Sequence, residues 1–155
     1  MTLITGGAAS GKSRHALRRA QEWGSHVLFV ATCVPQDDEM RAKVARHRVE
    51  RPESWHTVEA TRRVGDALQC GYDGAVVDCL TLLISQMLVE RASDDEIDAE
   101  VNDLCTAACG AAYPVIIVTN EVGFGVVPEH PLGRRFREVA GRANQFVASL
   151  ADEVE

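Results

Sequence analysis

The feature that most constrains the fold is the segment "ITGGAASGKSRH" at residues 4–15, which contains Gly6-x-x-x-x-Gly11-Lys12-Ser13. The apolar residues Leu3–Thr5 predict a short buried strand before it, and the spacing of Ser13–Glu22 predicts a helix after it. A glycine-rich turn between a strand and a helix lets successive backbone N–H groups surround phosphate oxygens. The segment therefore predicts a phosphate-binding loop, and the alternative is a glycine turn followed by an unrelated lysine.

The residue types within this loop have distinct expected roles. Lys12 is expected to reach the outer phosphates of a bound nucleotide, and Ser13 to coordinate Mg²⁺. The amino end of the following helix adds a partial positive charge. The cradle around the phosphates is expected to consist of Gly6, Gly7, Ala8, Ala9, Ser10 and Gly11.

The rest of the chain alternates apolar strand segments with amphipathic helix segments. Strands are predicted at 27–31, 56–59, 75–80 and 114–119, and helices at 37–50, 61–69, 81–90, 94–111 and 132–150. The strands are continuous apolar runs, which is typical of a parallel sheet that is buried on both faces. We therefore predict a single α/β domain over residues 1–155, with a mostly parallel sheet and helices on both faces.

Composition narrows the classes of function. The formal net charge is −7 and no Lys/Arg block stands out, which argues against a general nucleic-acid-binding surface. No apolar run approaches the length of a membrane span and no signal peptide precedes the first strand, so a cytoplasmic protein is expected. The five cysteines show no metal-binding spacing and are expected to be free thiols.

Ligands of such sheets bind beyond the carboxyl ends of the strands. Thr32 and Cys33 follow the second predicted strand, and Asp78 and Thr81 lie at the end of the fourth. Asp78 ends an apolar run and is expected to hold Mg²⁺ directly or through water, although an aspartate there also suits a helix cap. Glu121, after the fifth strand, is either a second functional acid or a solvated loop charge.

A histidine and two arginines cluster in the segment "ARHRVERPESW". Guanidinium groups of Arg48 and Arg51 suit phosphate oxygens, and His47 shares a helix face with Arg51. Neighbouring cations favour the neutral form of an imidazole, which is the form that attacks phosphorus. The alternative is that His47 continues an apolar stripe with Met40 and Val44 and is a core histidine.

The motifs together are similar to those of one family. "TGGAASGKSRHA", "DDEM", "H-R-x-x-R-P-x-x-W", "VVDCLT", "TNEVGFGVVPE" and "GRANQ" follow one another as in the bifunctional adenosylcobinamide kinase / adenosylcobinamide-phosphate guanylyltransferase family, over residues 2–154. The resemblance implies a RecA-like P-loop NTPase fold, a homotrimer and a place in cobalamin biosynthesis. It also implies two reactions, phosphorylation of adenosylcobinamide with ATP or GTP and transfer of GMP from GTP through a GMP-histidine intermediate.

The resemblance further implies which residues act. His47 matches the histidine that carries GMP, and Lys12 is the second catalytic residue. Mg²⁺ would be held at Ser13 and Asp78. Beyond the glycine-rich loop, nucleotide contacts are expected at Ala31, Thr32, Cys33, Arg48, Val49, Glu50, Arg51, Glu59, Asp78 and Thr81.

The sequence departs from the family pattern at two places. Arg46 stands where many members have the first of two adjacent histidines, and Glu155 is the last residue where members continue with an apolar strand. We therefore expect the C-terminal strand to be missing, which would expose a sheet edge. Two alternative functions stay open, a monofunctional P-loop small-molecule kinase and a non-catalytic nucleotide-binding switch module, and the sequence does not distinguish ATP from GTP in the kinase step.

Overall fold

The computed structural model of the chain describes residues 1–33, 38–49 and 51–155, without the side chains of residues 39, 40, 43, 46 and 47. The strands are β1 Thr2–Ile4, β2 Val27–Ala31, β3 His56–Glu59, β4 Gly74–Asp78, β5 Val115–Val118 and β6 Glu153–Val154. The helices are α1 Lys12–Gln21, α2 Asp38–Val49, α3 Leu80–Val89, α4 Asp94–Gly110 and α5 Pro131–Leu150.

The strands form one sheet in the order β3-β2-β4-β5-β1-β6, and every pairing among the described strands is parallel. The predicted α/β class is confirmed. The order places β5 between β1 and β4, so the segments that follow these three strands emerge side by side at one edge of the sheet. This edge is where the predicted site residues are expected to meet.

Helices cover both faces of the sheet, as predicted. Alternation along β2 turns Leu28 and Val30 toward a core shared with α3, α4 and α5. Val27 and Phe29 point to the opposite face, where α1 packs. Because the inner strands β2 and β5 have apolar residues on both faces, their sequences are continuous apolar runs without alternation.

The prediction of a helix over residues 61–69 is wrong. Only a single 3-10 turn forms there, Val64–Ala67. Arg63 adopts a left-handed conformation (φ 51°), and the carboxylate of Glu100 on α4 accepts the backbone N–H groups of Arg63 and Val64 at 2.9 and 2.8 Å. A contact with a distant helix thus takes the place of the helical hydrogen bonds that the local pattern favoured.

The expectation that no strand follows α5 differs from the structure in one respect. Glu153 and Val154 form β6, which pairs with Thr2 and Leu3 of β1. Arg19 of α1 donates a hydrogen bond to Glu153 at 2.8 Å, and this bond is the main cause of a raised pKa of its guanidinium. The two residues therefore cover the outer edge of β1 and are linked by charge to the helix beside it.

Helix α4 begins with a complete capping box. The Ser93 hydroxyl accepts the Glu96 N–H at 3.2 Å, and the Glu96 carboxylate accepts the Ser93 N–H at 2.7 Å. We expect Ser93→Ala to lower the free energy of unfolding by about 1 kcal/mol and the Tm by roughly 2–4 °C, because the Glu96 N–H in the first turn of α4 loses its acceptor. Thermal denaturation measures this, with Ser54→Ala in an exposed turn as control; an equal Tm for the two variants would contradict it.

Candidate functional site

A cavity of about 700 Å³ opens at the carboxyl edge of the sheet. Its walls come from the glycine-rich loop, the ends of β2, β3 and β4, the helices α2, α3 and α5, and the segment after β5. Most of the site residues predicted from sequence line it: Ala8, Ala9, Ser10, Gly11, Lys12, Ser13, Ala31, Cys33, Arg48, Arg51, Glu59, Asp78 and Thr81.

The glycine-rich loop has the backbone that a phosphate cradle requires. Gly11, the residue before α1, has φ +92°, a conformation that residues with a Cβ rarely adopt. A Cβ at Gly6 would lie 2.8 Å from the Ser10 hydroxyl. Lys12 Nζ donates to the Gly7 carbonyl at 2.9 Å, so the ammonium group lies over the loop, next to the amino end of α1. A lysine charge, a helix amino end and a glycine-rich backbone together favour an anion.

Two oxygen donors suited to a magnesium ion line the same cavity, the hydroxyl of Ser13 and the carboxylate of Asp78. In the described part of the chain no group of three His, Cys, Asp or Glu residues lies close enough together to hold a metal by itself. Mg²⁺ commonly takes only one or two protein ligands and completes its shell with phosphate oxygens and water. The donor set therefore fits a magnesium ion that arrives with a nucleotide.

Arg51 supplies a further positive charge to the lining of the cavity. Its guanidinium carbon lies 4.0 Å from the centre of the Phe29 ring, and Nη1 donates to Thr57 Oγ1 at 3.1 Å. Partial burial and the nearby Arg48 lower the pKa of Arg51 below its ordinary value, while Asp78 opposes the shift. A guanidinium that has lost water and lies beside a like charge is a favourable place for an anion.

We expect Arg51→Lys to weaken the binding of GTP, the nucleotide that the family resemblance implies, about tenfold although the charge is kept, because lysine loses the stacking on Phe29 and the planar fork. Calorimetric titration gives the Kd. Arg41→Lys is the matched control, since Arg41 pairs with Asp38 at 2.7 Å on an exposed part of α2. Equal Kd values for the two variants would contradict this role of Arg51.

Several predicted residues do not line this cavity. Thr32 is fully buried, and its hydroxyl accepts the Cys79 N–H and donates to the Cys79 carbonyl, both at 2.7 Å. Thr32 therefore ties the end of β2 to the end of β4 instead of facing a ligand. Val49 is 86% exposed, and Gly6 and Gly7 are likewise absent from the cavity lining, although Gly6 borders a second depression on the other side of the loop.

Glu50 and the side chain of His47 lie outside the described part of the structure, so the roles expected of them stay predictions. The backbone of His47 belongs to α2, directly before Arg48. Helix α2 also contributes Val44 to the cavity lining, so the cavity borders the helix that carries the predicted nucleophile.

The cavity lining also includes residues to which the sequence assigned no role. Phe29 lies in the middle of β2 and Phe136 on α5, and nothing in their local sequence distinguishes them from core residues. Asn120 directly follows β5, so the rule that ligands bind beyond strand ends could have identified it. Glu121, for which the sequence permits either a functional role or a solvated loop charge, lines the cavity, and its N–H donates to the Gly6 carbonyl at 2.9 Å.

Comparison with known proteins gives a consistent result. The sequence model of the family described as "Cobinamide kinase / cobinamide phosphate guanyltransferase" matches residues 2–155. The bifunctional adenosylcobalamin biosynthesis protein CobU of Escherichia coli (strain K12) is 38% identical over 169 residues, which cover 99% of this chain and 93% of the relative. CobU of Salmonella typhimurium (strain LT2) is 39% identical over 174 residues with the same coverage. CobP of Pseudomonas aeruginosa (strain PAO1) is 38% identical over 157 residues, covering 98% and 89%.

Proposed function

Since the chain belongs to the cobinamide kinase / cobinamide phosphate guanyltransferase family, we propose that the cavity beside the glycine-rich loop is the nucleotide site of both reactions. The enzyme phosphorylates adenosylcobinamide and transfers GMP to adenosylcobinamide phosphate in cobalamin biosynthesis. The observation that carries the proposal of one site is that Lys12, Ser13 and Asp78 line one cavity with Arg48 and Arg51.

The kinase step needs a triphosphate whose outermost phosphoryl group faces a hydroxyl. The loop amides and Lys12 bind the phosphate oxygens and neutralise charge on the departing nucleoside diphosphate. Ser13 and Asp78 would hold Mg²⁺, which supplies further neutralisation of phosphate charge when bound. Positioning and charge stabilisation carry such a transfer, so either ATP or GTP serves in this proposal.

Guanylyl transfer needs a covalent carrier. The neutral imidazole of His47 attacks the α-phosphorus of GTP, the bond to the β-phosphate oxygen breaks, and pyrophosphate leaves. A phosphate oxygen of adenosylcobinamide phosphate then attacks the same phosphorus, the nitrogen–phosphorus bond breaks, and neutral His47 is regenerated. Arg48 and Arg51 bind the GMP phosphate, and Glu59 at the end of β3 accepts hydrogen bonds from guanine N–H or ribose O–H groups.

We extend the proposal to a cytoplasmic homotrimer that binds no nucleic acid. The segment after β5 carries apolar side chains that are suited to burial by a neighbouring subunit, since Phe124 is 96% and Val126 94% exposed. None of the helices in the described part of the chain is both long and apolar enough to cross a bilayer. Light scattering of the purified protein measures the mass of the assembly.

Product analysis tests the proposal. The purified chain is incubated with adenosylcobinamide and Mg²⁺, with either ATP or GTP, and the corrinoids are separated by mass. We expect the phosphorylated corrinoid with ATP and the GDP-linked corrinoid with GTP. A phosphorylated product alone in the presence of GTP would support the monofunctional kinase, and nucleotide binding without either product would support the non-catalytic module.

A further inference from the structure

Asn120 lies at the centre of the candidate site without an assigned role. Strand β5 runs between β1 and β4, and its last residue, Val118, pairs with both Ile4 and Asp78. The segment that follows Val118 must therefore lie between the glycine-rich loop and the Asp78 carboxylate. Asn120 is the half-buried polar residue at this position, and it lines the cavity.

The backbone around Asn120 is clamped. Thr119 donates its N–H to the Ile4 carbonyl and Glu121 donates its N–H to the Gly6 carbonyl, both at 2.9 Å, so the pairing of β5 with β1 continues into the glycine-rich loop. The N–H of Asn120 points the other way and donates to Thr81 Oγ1 at 3.3 Å. The position of Asn120 thus depends on the same loop that is proposed to hold the phosphates.

The side chain of Asn120 is oriented as well. Its Nδ2 donates to Thr81 Oγ1 at 2.6 Å and lies 3.6 Å from Cys79 Sγ. Thr81 is almost fully buried, and its hydroxyl oxygen accepts hydrogen bonds from the backbone N–H and from the side-chain Nδ2 of Asn120, so Thr81 orients Asn120 at the wall of the cavity.

A second amide completes the arrangement. Asn144 of α5 donates its Nδ2 to the Asn120 carbonyl at 3.1 Å, and the Asn144 amide oxygen accepts the Thr119 hydroxyl at 2.7 Å. In the part of the chain that the structure describes, the amide oxygen of Asn120 has no hydrogen-bond partner. The arrangement therefore leaves one acceptor atom on a side chain whose donors are engaged.

The chemistry of that atom selects its ligand. An amide oxygen only accepts hydrogen bonds, and ionised phosphate oxygens also only accept, so the two do not suit each other. An O–H group suits it. We infer that Asn120 accepts a hydrogen bond from the hydroxyl that receives the phosphoryl group in the kinase step, and that Thr81 and Asn144 are positioning residues for Asn120. This inference rests on the proposed kinase function.

The step is one of orientation. The hydroxyl oxygen forms the new bond to the γ-phosphorus while the bond from that phosphorus to the β-phosphate oxygen breaks. The amide oxygen of Asn120 is too weak a base to keep the hydroxyl proton, which passes to water. Formation of the GMP-enzyme uses no such hydroxyl, so only the kinase step depends on this contact.

Substitution of Thr81 tests the inference. Thr81→Val keeps the shape of the side chain but removes the oxygen that orients Asn120. We expect its kinase kcat to fall about tenfold, with the KM for ATP unchanged and with normal incorporation of GMP from GTP in the absence of corrinoid. Thr81→Ser should restore most of the rate. Thr106→Val is the matched control, since the exposed Thr106 hydroxyl donates to the Asn102 carbonyl of its own helix.

Further variants keep the test decisive. Asn120→Leu should show the same kinetic pattern. The double variant Thr81→Val with Asn120→Leu should be no slower than Asn120→Leu alone, because each change removes the same contact between Asn120 and the acceptor hydroxyl. If Thr81→Val does not fold, Asn120→Leu carries the test. A native kinase rate in either variant, or an equal loss of GMP incorporation, would overturn the inference, whereas a wild-type protein without kinase activity would overturn the proposed function itself.

Discussion

His47→Ala is expected to abolish GMP transfer and to leave the phosphorylation of adenosylcobinamide within about twofold of the wild-type rate. The covalent intermediate requires a ring nitrogen at this position, and no other step of the proposal uses one. Incubation with GTP labelled at the α-phosphate should leave acid-labile, alkali-stable label on the wild-type protein and none on the variant. The kinase rate of the variant is measured with ATP, so the two reactions are scored separately.

A second histidine variant controls for loss of folding. His26 precedes β2 at the opposite edge of the sheet and stacks on Tyr72 with ring centres 5.0 Å apart. His26→Ala should therefore accept label like the wild type. Label on the His47→Ala protein would show that another group is the nucleophile, and a wild-type protein that never takes label would reduce the function to phosphorylation.

Lys12→Met is expected to slow both reactions by about two to three orders of magnitude. The variant keeps most of the length of the side chain but removes the ammonium group that lies over the glycine-rich loop. The charge on either leaving group, nucleoside diphosphate or pyrophosphate, then loses its main fixed counter-charge. Rates of corrinoid phosphorylation and of GMP incorporation, each at saturating nucleotide, measure the effect.

The control for Lys12 removes a cation elsewhere. Arg62 pairs with Glu90 at 2.8 Å on the protein surface, and Arg62→Met should keep both activities because an exposed ion pair contributes little. If Lys12→Met lost one reaction and kept the other, the proposal that a single triphosphate site serves both would be wrong.

Local sequence patterns predicted much of this molecule. The glycine-rich loop is recognisable because its conformation depends on residues that are adjacent in the chain, and the continuous apolar strands are recognisable because a parallel sheet is buried on both faces. The pattern failed at residues 61–69, where the distant Glu100 captures two backbone N–H groups and limits the segment to one 3-10 turn.

Threonine hydroxyls show where prediction from the sequence ends. Thr32 and Thr81 both follow strands, as ligand contacts do, and the strand-end rule treats them alike. In the structure one hydroxyl ties together the ends of two strands and the other orients an asparagine. The hydrogen-bond partner of a short side chain such as threonine depends on which strands are neighbours in the sheet. The residues adjacent to it in the sequence do not specify that strand order.

The amino-acid sequence alone determined the glycine-rich loop between β1 and α1, the α/β class and the family, because these depend on short-range spacing and on motifs in a fixed order. Tertiary structure alone decided that Phe29 lies under Arg51 and that Asn120 stands between the loop and Asp78. The first contact follows from the pairing of β2 with β3, and the second from the placement of β5 between β1 and β4. Strand placement results from long-range pairing and packing of the whole sheet, which no local pattern specifies.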